Sequence, residues 1–133
     1  MKVVGLFREL ERNLPASVPS IHDSVGKMPE GVLEDVLSHL VNWDVVVDVM
    51  AASSDPFDHS KFISGGPSLH SDGVWVWRHD LEYLVRNYKV GLPEEFIRHV
   101  IESRGKEPHL NLTHELCDEA SRVYFLAEKG ESE

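Results

Sequence analysis

The chain of 133 residues has little cysteine, a shortage of basic residues and no long apolar run. Its single cysteine, Cys117, excludes a disulfide within the chain and any zinc site made of several cysteines. No apolar stretch approaches the roughly 20 residues that a membrane-spanning helix needs. Charged side chains interrupt the opening sequence, MKVVGLFRELERNLP, which therefore lacks the apolar core of a signal peptide. These absences predict a soluble, cytoplasmic protein.

Basic residues are outnumbered by acidic ones, 13 against 23, which gives a formal net charge of −10 with histidine neutral. The acidic excess lies in residues 1–77 and 107–133, whereas residues 78–106 are close to neutral. A negative field repels phosphate backbones and anionic membranes, so nucleic acid and membrane surfaces are not expected partners. Two explanations of the acidity stay open. It can serve solubility alone, or it can attract a basic protein partner.

Hydrophobic residues at helical spacing predict five helices. Proline and glycine punctuate them: Pro15 stops the first, Pro29 suits the first turn of the second, and Gly91 and Gly105 end two of the others. Thr113 is placed to cap the last helix. The predicted helices lie at residues 3–10, 29–41, 80–88, 93–101 and 113–127.

Two strands are predicted between these helices. The β-branched run WDVVVDVMAA favours a strand over residues 44–51, and the alternating VWVWR favours one over 74–78. Residues 52–71 are rich in Ser, Asp, Gly and Pro and predict a long loop, with room for a short strand near Phe62. The sequence thus predicts one α+β domain over residues 1–133, with helices on a small antiparallel sheet and a polar tail at 128–133.

The eight histidines do not follow any spacing typical of metal ligands. H-E-x-x-H, paired C-x-x-C and EF-hand patterns are absent, so we predict no metal and no cofactor. The run SGGPS is not a nucleophile elbow, and the glycines do not form a phosphate-binding loop. A protein that is not an enzyme is therefore favoured. The residues that come nearest to a ligand set are Asp55, Asp58, His59, His70, Asp72, His79 and Asp80.

The tryptophans of the second strand raise a separate question. Trp75 and Trp77 share one face of that strand, and Val74 and Val76 share the other. If helices cover one face, the opposite face must be covered by something else, because exposed tryptophans are costly. The 52–71 loop is the expected cover. The alternative is an aromatic anchor at a protein interface, where tryptophan is enriched among the residues that carry binding energy.

The segment from residue 65 to 99 resembles a family of small acidic bacterial proteins of unassigned function. Its marker is D-G-x-W-x-W-R-x-D-L-x-Y, followed by V-x-x-Y and L-P-x-x-F, and it covers about a quarter of the chain. The resemblance implies a connection to immunity proteins that neutralise bacterial toxins, which agrees with the acidic charge. The matching positions are Asp72, Gly73, Trp75, Trp77, Arg78, Asp80, Leu81, Tyr83, Val85, Tyr88, Leu92, Pro93 and Phe96.

Three functional hypotheses follow from the sequence. The leading one is a non-enzymatic, immunity-type binding domain for a basic protein, with contact residues Asp55, Asp58, Asp72 and Trp77. The second is a small metal-assisted hydrolase centred on residues 52–72, in which His59, His70 and Asp72 are the polar groups. The third is a homo-oligomeric structural subunit that uses the aromatic surface to associate.

Overall fold

Four α-helices and six β-strands, most of them short, lie within residues 1–131, the part of the chain that the computed structural model describes. They form an α+β fold, which confirms the predicted class. The helices are α1 (Leu33–Asn42), α2 (Asp80–Tyr88), α3 (Glu94–Glu102) and α4 (His114–Glu128). The strands are β1 (Lys2–Val3), β2 (Val45–Val47), β3 (Ala52–Asp55), β4 (Asp58–Ser64), β5 (Leu69–Ser71) and β6 (Trp75–Arg78).

The predicted first helix is wrong. Residues 3–10 contain the end of β1, a bend and a short 3₁₀ turn at Arg8–Leu10. Gly5 explains the break, because its φ of +76° lies in the left-handed region that a right-handed helix does not use. A Cβ atom at this position would lie 2.5 Å from Leu81 Cδ1, so the chain passes too close to α2 for a side chain. The other four helices form where the apolar spacing placed them.

One four-stranded sheet, in the order β1-β6-β5-β2, lies at the centre of the fold. β6 pairs antiparallel with β5 and β5 with β2, but β1 pairs parallel with β6. The sheet is therefore mixed, and the prediction of an antiparallel sheet needs this correction. A two-residue strand has no side-chain pattern that reveals the direction of its pairing. β2 is also shorter than the predicted 44–51 strand, because residue 44 and residues 48–51 lie outside any strand.

The segment at residues 52–71 is not the loop that its composition predicted. β3 and β4 form an antiparallel hairpin in which Ser53 pairs with Ile63 and Ser54 with Phe62, and β5 follows. The polar residues suit this hairpin because Ser53 and Asp55 find hydrogen-bond partners inside the protein, whereas most of β4 faces solvent. The short strand expected near Phe62 is part of β4.

Helices cover both faces of the central strand β6. Trp75 and Trp77 belong to a core cluster with Leu40 of α1 and Phe96 of α3. Val76 belongs to a second cluster, with α4 residues Ala120, Val123 and Tyr124. The expectation that residues 52–71 cover the second face is therefore wrong, because α4 does so.

No helix in the described part of the chain has the length and apolar character needed to cross a membrane. The predicted tail at 128–133 starts within α4, since Glu128 is the last residue of that helix. Residues 132–133 lie outside the described residues.

Candidate functional site

Three of the four predicted partner-contact residues are buried. Asp55 and Trp77 have no exposed surface, and Asp72 keeps 8% of its surface. A side chain enclosed in this way does not touch a partner on the folded protein, so these three leave the predicted contact set. Asp58, at the β3–β4 turn with 42% of its side chain exposed, stays a predicted contact.

Trp77 anchors the core. Its indole Nε1 donates a hydrogen bond to the Leu40 carbonyl, 3.1 Å away, so the polar edge of the ring is satisfied inside the protein. The ring packs edge-on against Phe96, with centroids 5.9 Å apart, and stacks parallel to His70 at 6.2 Å. These contacts join β6 to α1, α3 and β5, which is a structural role.

Asp55 fastens the β3–β4 hairpin to α2. One carboxylate oxygen accepts hydrogen bonds from the hydroxyls of Tyr83 and Tyr88 at 2.7 and 2.5 Å. The other accepts from the backbone N–H groups of Phe57 and Asp58 in the turn. Burial raises the pKa of Asp55, but these hydrogen bonds lower it more, so its pKa lies below the ordinary value. We call this arrangement the Asp55 latch.

Arg78 is the centre of a second buried network. Its guanidinium donates to both carboxylate oxygens of Asp80, to Glu11 at 2.8 Å and to the Tyr124 hydroxyl at 3.2 Å. Ser53 also donates to Asp80, which ties the hairpin to this network. Burial lowers the pKa of Arg78, but the charge of Asp80, the neighbouring Tyr124 and the hydrogen bonds to both together raise it more, so the net shift is upward and the side chain remains charged.

A pair of carboxyl groups, Glu11 and Glu128, lies beside Arg78. Burial raises the pKa of Glu128 to about 7, and its hydrogen bond and charge interaction with Glu11 act in the same direction. The charge of Arg78 opposes this shift. Near neutral pH, Glu128 therefore exchanges a proton in a partly buried site.

The third network places two histidines on one carboxylate. Asp72 Oδ2 lies 2.7 Å from His39 Nε2 and 2.8 Å from His99 Nε2. Asp72 Oδ1 accepts from the backbone N–H groups of Val74 and Trp75. Burial raises the pKa of Asp72, but its hydrogen bonds outweigh burial and leave the pKa below the ordinary value. Asp72 is thus an anionic hub for α1, α3 and the β5–β6 turn.

The residues of the predicted hydrolase do not come together. His70 pairs with His79, with Nε2 and Nδ1 2.9 Å apart, and its Nδ1 lies 2.7 Å from the Trp43 carbonyl. His59 is exposed on β4, and Asp72 pairs with the other two histidines. Among residues 1–131, the three-ligand group is His39, Asp72 and His99, and neither His59 nor His70 belongs to it. The geometry therefore gives no support to a site at 52–72.

Every buried side-chain nitrogen and oxygen in the described part of the chain has a hydrogen-bond partner. A cavity of about 560 Å³ is lined mainly by residues of the N-terminal segment and by residues 91–93. A smaller one, about 340 Å³, has His39, Trp43 and Val100 in its lining. The buried polar side chains of the described residues are thus hydrogen-bonded within the protein.

The outer surface of the hairpin carries an exposed aromatic side chain, and other apolar side chains are exposed elsewhere, among them Val41, Val74 and Phe125. Phe62 is 70% exposed in β4, and Met50, two residues before β3, is 98% exposed. Phe62 lies opposite Ser54, and Ala52 lies opposite Ser64, so one aromatic ring stands among small residues. We call this face, formed by Ala52, Ser54, Ser60, Phe62 and Ser64, the hairpin face.

Sequence reasoning missed His39 and His99. Each lies three residues after an apolar stripe residue of its helix, Val36 and Phe96, which places both imidazoles on inward faces. That signal was present in the sequence. Their convergence on Asp72 was not, because it depends on how α1 and α3 cross the β5–β6 turn.

Three comparisons with known proteins found no relative of this chain. No family model matches the chain, and neither a curated protein nor a solved structure matches it significantly.

Proposed function

We propose that this protein is a non-enzymatic binding domain that presents its hairpin face to a basic protein partner. The observation that carries the proposal is the exposure of Phe62 on a hairpin whose inner face is held by hydrogen bonds of Ser53 and Asp55, with Met50 exposed two residues before that hairpin. An exposed aromatic ring on a rigid support loses little conformational freedom on binding and is suited to dominate an interface.

The free edge of β4 supports the same surface. In the described residues, β4 pairs with β3 alone, so its other edge offers backbone N–H and C=O groups to an incoming extended segment. Lys61 and Asp58 border this edge and form an ion pair at 3.8 Å. A partner strand added here would lie beside Phe62.

Charge supports a basic partner. The chain has a formal charge of −10, and although Asp55, Asp72 and Asp80 are buried, most of the acidic residues keep exposed surface. Such a field speeds the approach of a positively charged protein. An immunity-type inhibitor of a basic bacterial toxin is the particular form of this proposal, with Asp58 at the rim of the contact.

The test compares Phe62→Ser with Phe125→Ser. Phe125, on α4, is 56% exposed and provides a matched loss of an exposed ring elsewhere. Basic proteins encoded beside this gene are purified and titrated against each variant at low and high salt. We expect Phe62→Ser to weaken binding at least about tenfold and Phe125→Ser to leave it unchanged. Added salt should weaken binding of the unchanged protein, because exposed charges are screened.

Two results would contradict this function. Equal binding by the two variants would remove the hairpin face from the interface. Self-association without any partner, measured as a molecular mass that rises with concentration and is lowered by Phe62→Ser, would favour the homo-oligomeric subunit instead.

A further inference from the structure

We propose that His39, Asp72 and His99 bind a divalent transition-metal ion, with Zn²⁺ as the ion that suits the donors best. Both histidine Nε2 atoms lie within hydrogen-bond distance of Asp72 Oδ2, and all three ligand atoms lie within 4.8 Å of one another. Two imidazoles and one carboxylate form a donor set that zinc and other first-row metals accept. The inference is independent of partner binding at the hairpin face.

The spacing of the ligand atoms requires only a small adjustment. Metal–ligand bonds of zinc place neighbouring ligand atoms about 3.3 Å apart in a tetrahedral site. The two imidazole nitrogens are 2.7 and 2.8 Å from Asp72 Oδ2, so each ring needs to withdraw by about half an ångström. His99 has 23% of its side chain exposed near the end of α3, which leaves space for its movement, and His39 borders the cavity of about 340 Å³.

Asp72 is held in the orientation that a ligand needs. Its Oδ1 accepts from the backbone N–H groups of Val74 and Trp75 at 2.9 and 2.8 Å. These bonds fix the carboxylate plane and leave Oδ2 for the site. Supporting hydrogen bonds of this kind orient ligands in metal centres.

The surroundings of His39 are apolar on several sides. Its ring lies 5.7 Å from Trp43, 5.6 Å from Trp77 and 5.8 Å from Phe96, measured between centroids. An apolar shell lowers the local dielectric and strengthens the attraction between an ion and the Asp72 carboxylate. The exposed side of His99 supplies access for the ion and for water as a fourth ligand.

Binding changes the position of two protons. In the hydrogen-bonded arrangement, the imidazole Nε2–H groups donate to Asp72. A metal ion requires the Nε2 lone pairs, so each neutral ring then carries its proton on Nδ1. The carboxylate stays ionised throughout.

The experiment uses the full chain, freed of metal with a chelator and then dialysed. Zn²⁺ is titrated by calorimetry, and Co²⁺ is added in parallel because its visible absorption reports nitrogen and oxygen coordination. The variants are His99→Ala and Asp72→Asn, and the control is His79→Ala, which removes a histidine from the other histidine pair. We expect one Zn²⁺ per chain, a loss of at least about 100-fold in affinity for both site variants, and no change for the control.

Folding of each variant is checked by circular dichroism. His99→Ala decides the outcome if Asp72→Asn does not fold, because His99 is partly exposed and tolerates truncation. The proposal is overturned if the unchanged protein binds no Zn²⁺, which would leave a hydrogen-bonded cluster. It is also overturned if His79→Ala, rather than His99→Ala, abolishes binding.

Discussion

Glu128 gives the clearest prediction at the scale of one residue. Burial and Glu11 raise its pKa to about 7 from an ordinary value of 4.5. Below pH 4.5, the folded and unfolded chains both hold the proton, and the group contributes no difference in stability. As the pH rises from 4.5 to 7, the unfolded chain releases the proton first, so stability falls. Above pH 7 the destabilisation is constant.

Glu128→Gln should remove this pH dependence. We expect the variant to be more stable than the unchanged protein by about 1 kcal/mol at pH 8, a figure reduced for solvent screening, and equally stable at pH 4. Urea unfolding at both pH values measures this difference. Glu131→Gln, an exposed carboxyl three residues away, is the control and should have little effect at either pH. A variant that gains no stability at pH 8 would contradict the raised pKa.

The charge of Asp80 stabilises the fold, unlike that of Glu128, because it compensates the buried positive charge of Arg78. Asp80→Asn leaves the Arg78 guanidinium in the interior with Glu11 as its remaining acidic partner. We expect a loss of about 3 kcal/mol in the free energy of unfolding, since removing one partner of a buried ion pair is costly. Glu82→Gln breaks the exposed pair with Arg86 and should cost less than about 1 kcal/mol. Similar losses for the two variants would argue against the buried network.

The Asp55 latch is the prediction at the scale of an element. Asp55→Ala removes the acceptor of two tyrosine hydroxyls and two backbone N–H groups. We expect faster amide exchange in β3 and β4, with little change in β6, and a loss of about 2–3 kcal/mol in unfolding free energy. Asp58→Ala, at the same turn but half-exposed, should cost under about 0.5 kcal/mol. Uniform acceleration across the chain would show that the latch stabilises more than the hairpin.

A secondary-structure element was predictable where apolar side chains recur at the spacing that places them on one buried face. α1 shows this, because Val36 and Leu40 lie one turn apart on a face that meets the core. The β3–β4 hairpin was missed because its inward residues, Ser53 and Asp55, are polar and are satisfied by partners far along the chain. Amino-acid composition does not distinguish polar residues that face solvent from polar residues that form hydrogen bonds inside the protein.

The resemblance motif carries a related lesson. Arg78, Asp80 and Tyr83 are matching positions of the motif, and the structure gives each an internal partner. Contact with a partner was predicted for the motif residues Asp72 and Trp77, which are buried. Whether a polar residue faces inward depends on the packing of distant elements, which local spacing does not contain.

At the scale of the whole molecule, the structure separates an interior of apolar clusters and hydrogen-bonded polar networks from an exposed hairpin face. Residues 72–88 build the interior through β6, α2 and their ion pairs and hydrogen bonds. β4 lies on the outside, with Phe62 facing solvent. Binding is therefore expected at the hairpin, whereas the motif segment maintains the fold that supports it.

Amide hydrogen exchange, measured for peptides along the unmodified chain, tests this division most directly. The account predicts that amides of β6 and α2 exchange only when the whole protein unfolds, and that β4 exchanges at least about 100-fold faster. Exchange in β6 as rapid as in β4 would contradict it, because residues 72–88 would then not form the stable centre of the protein.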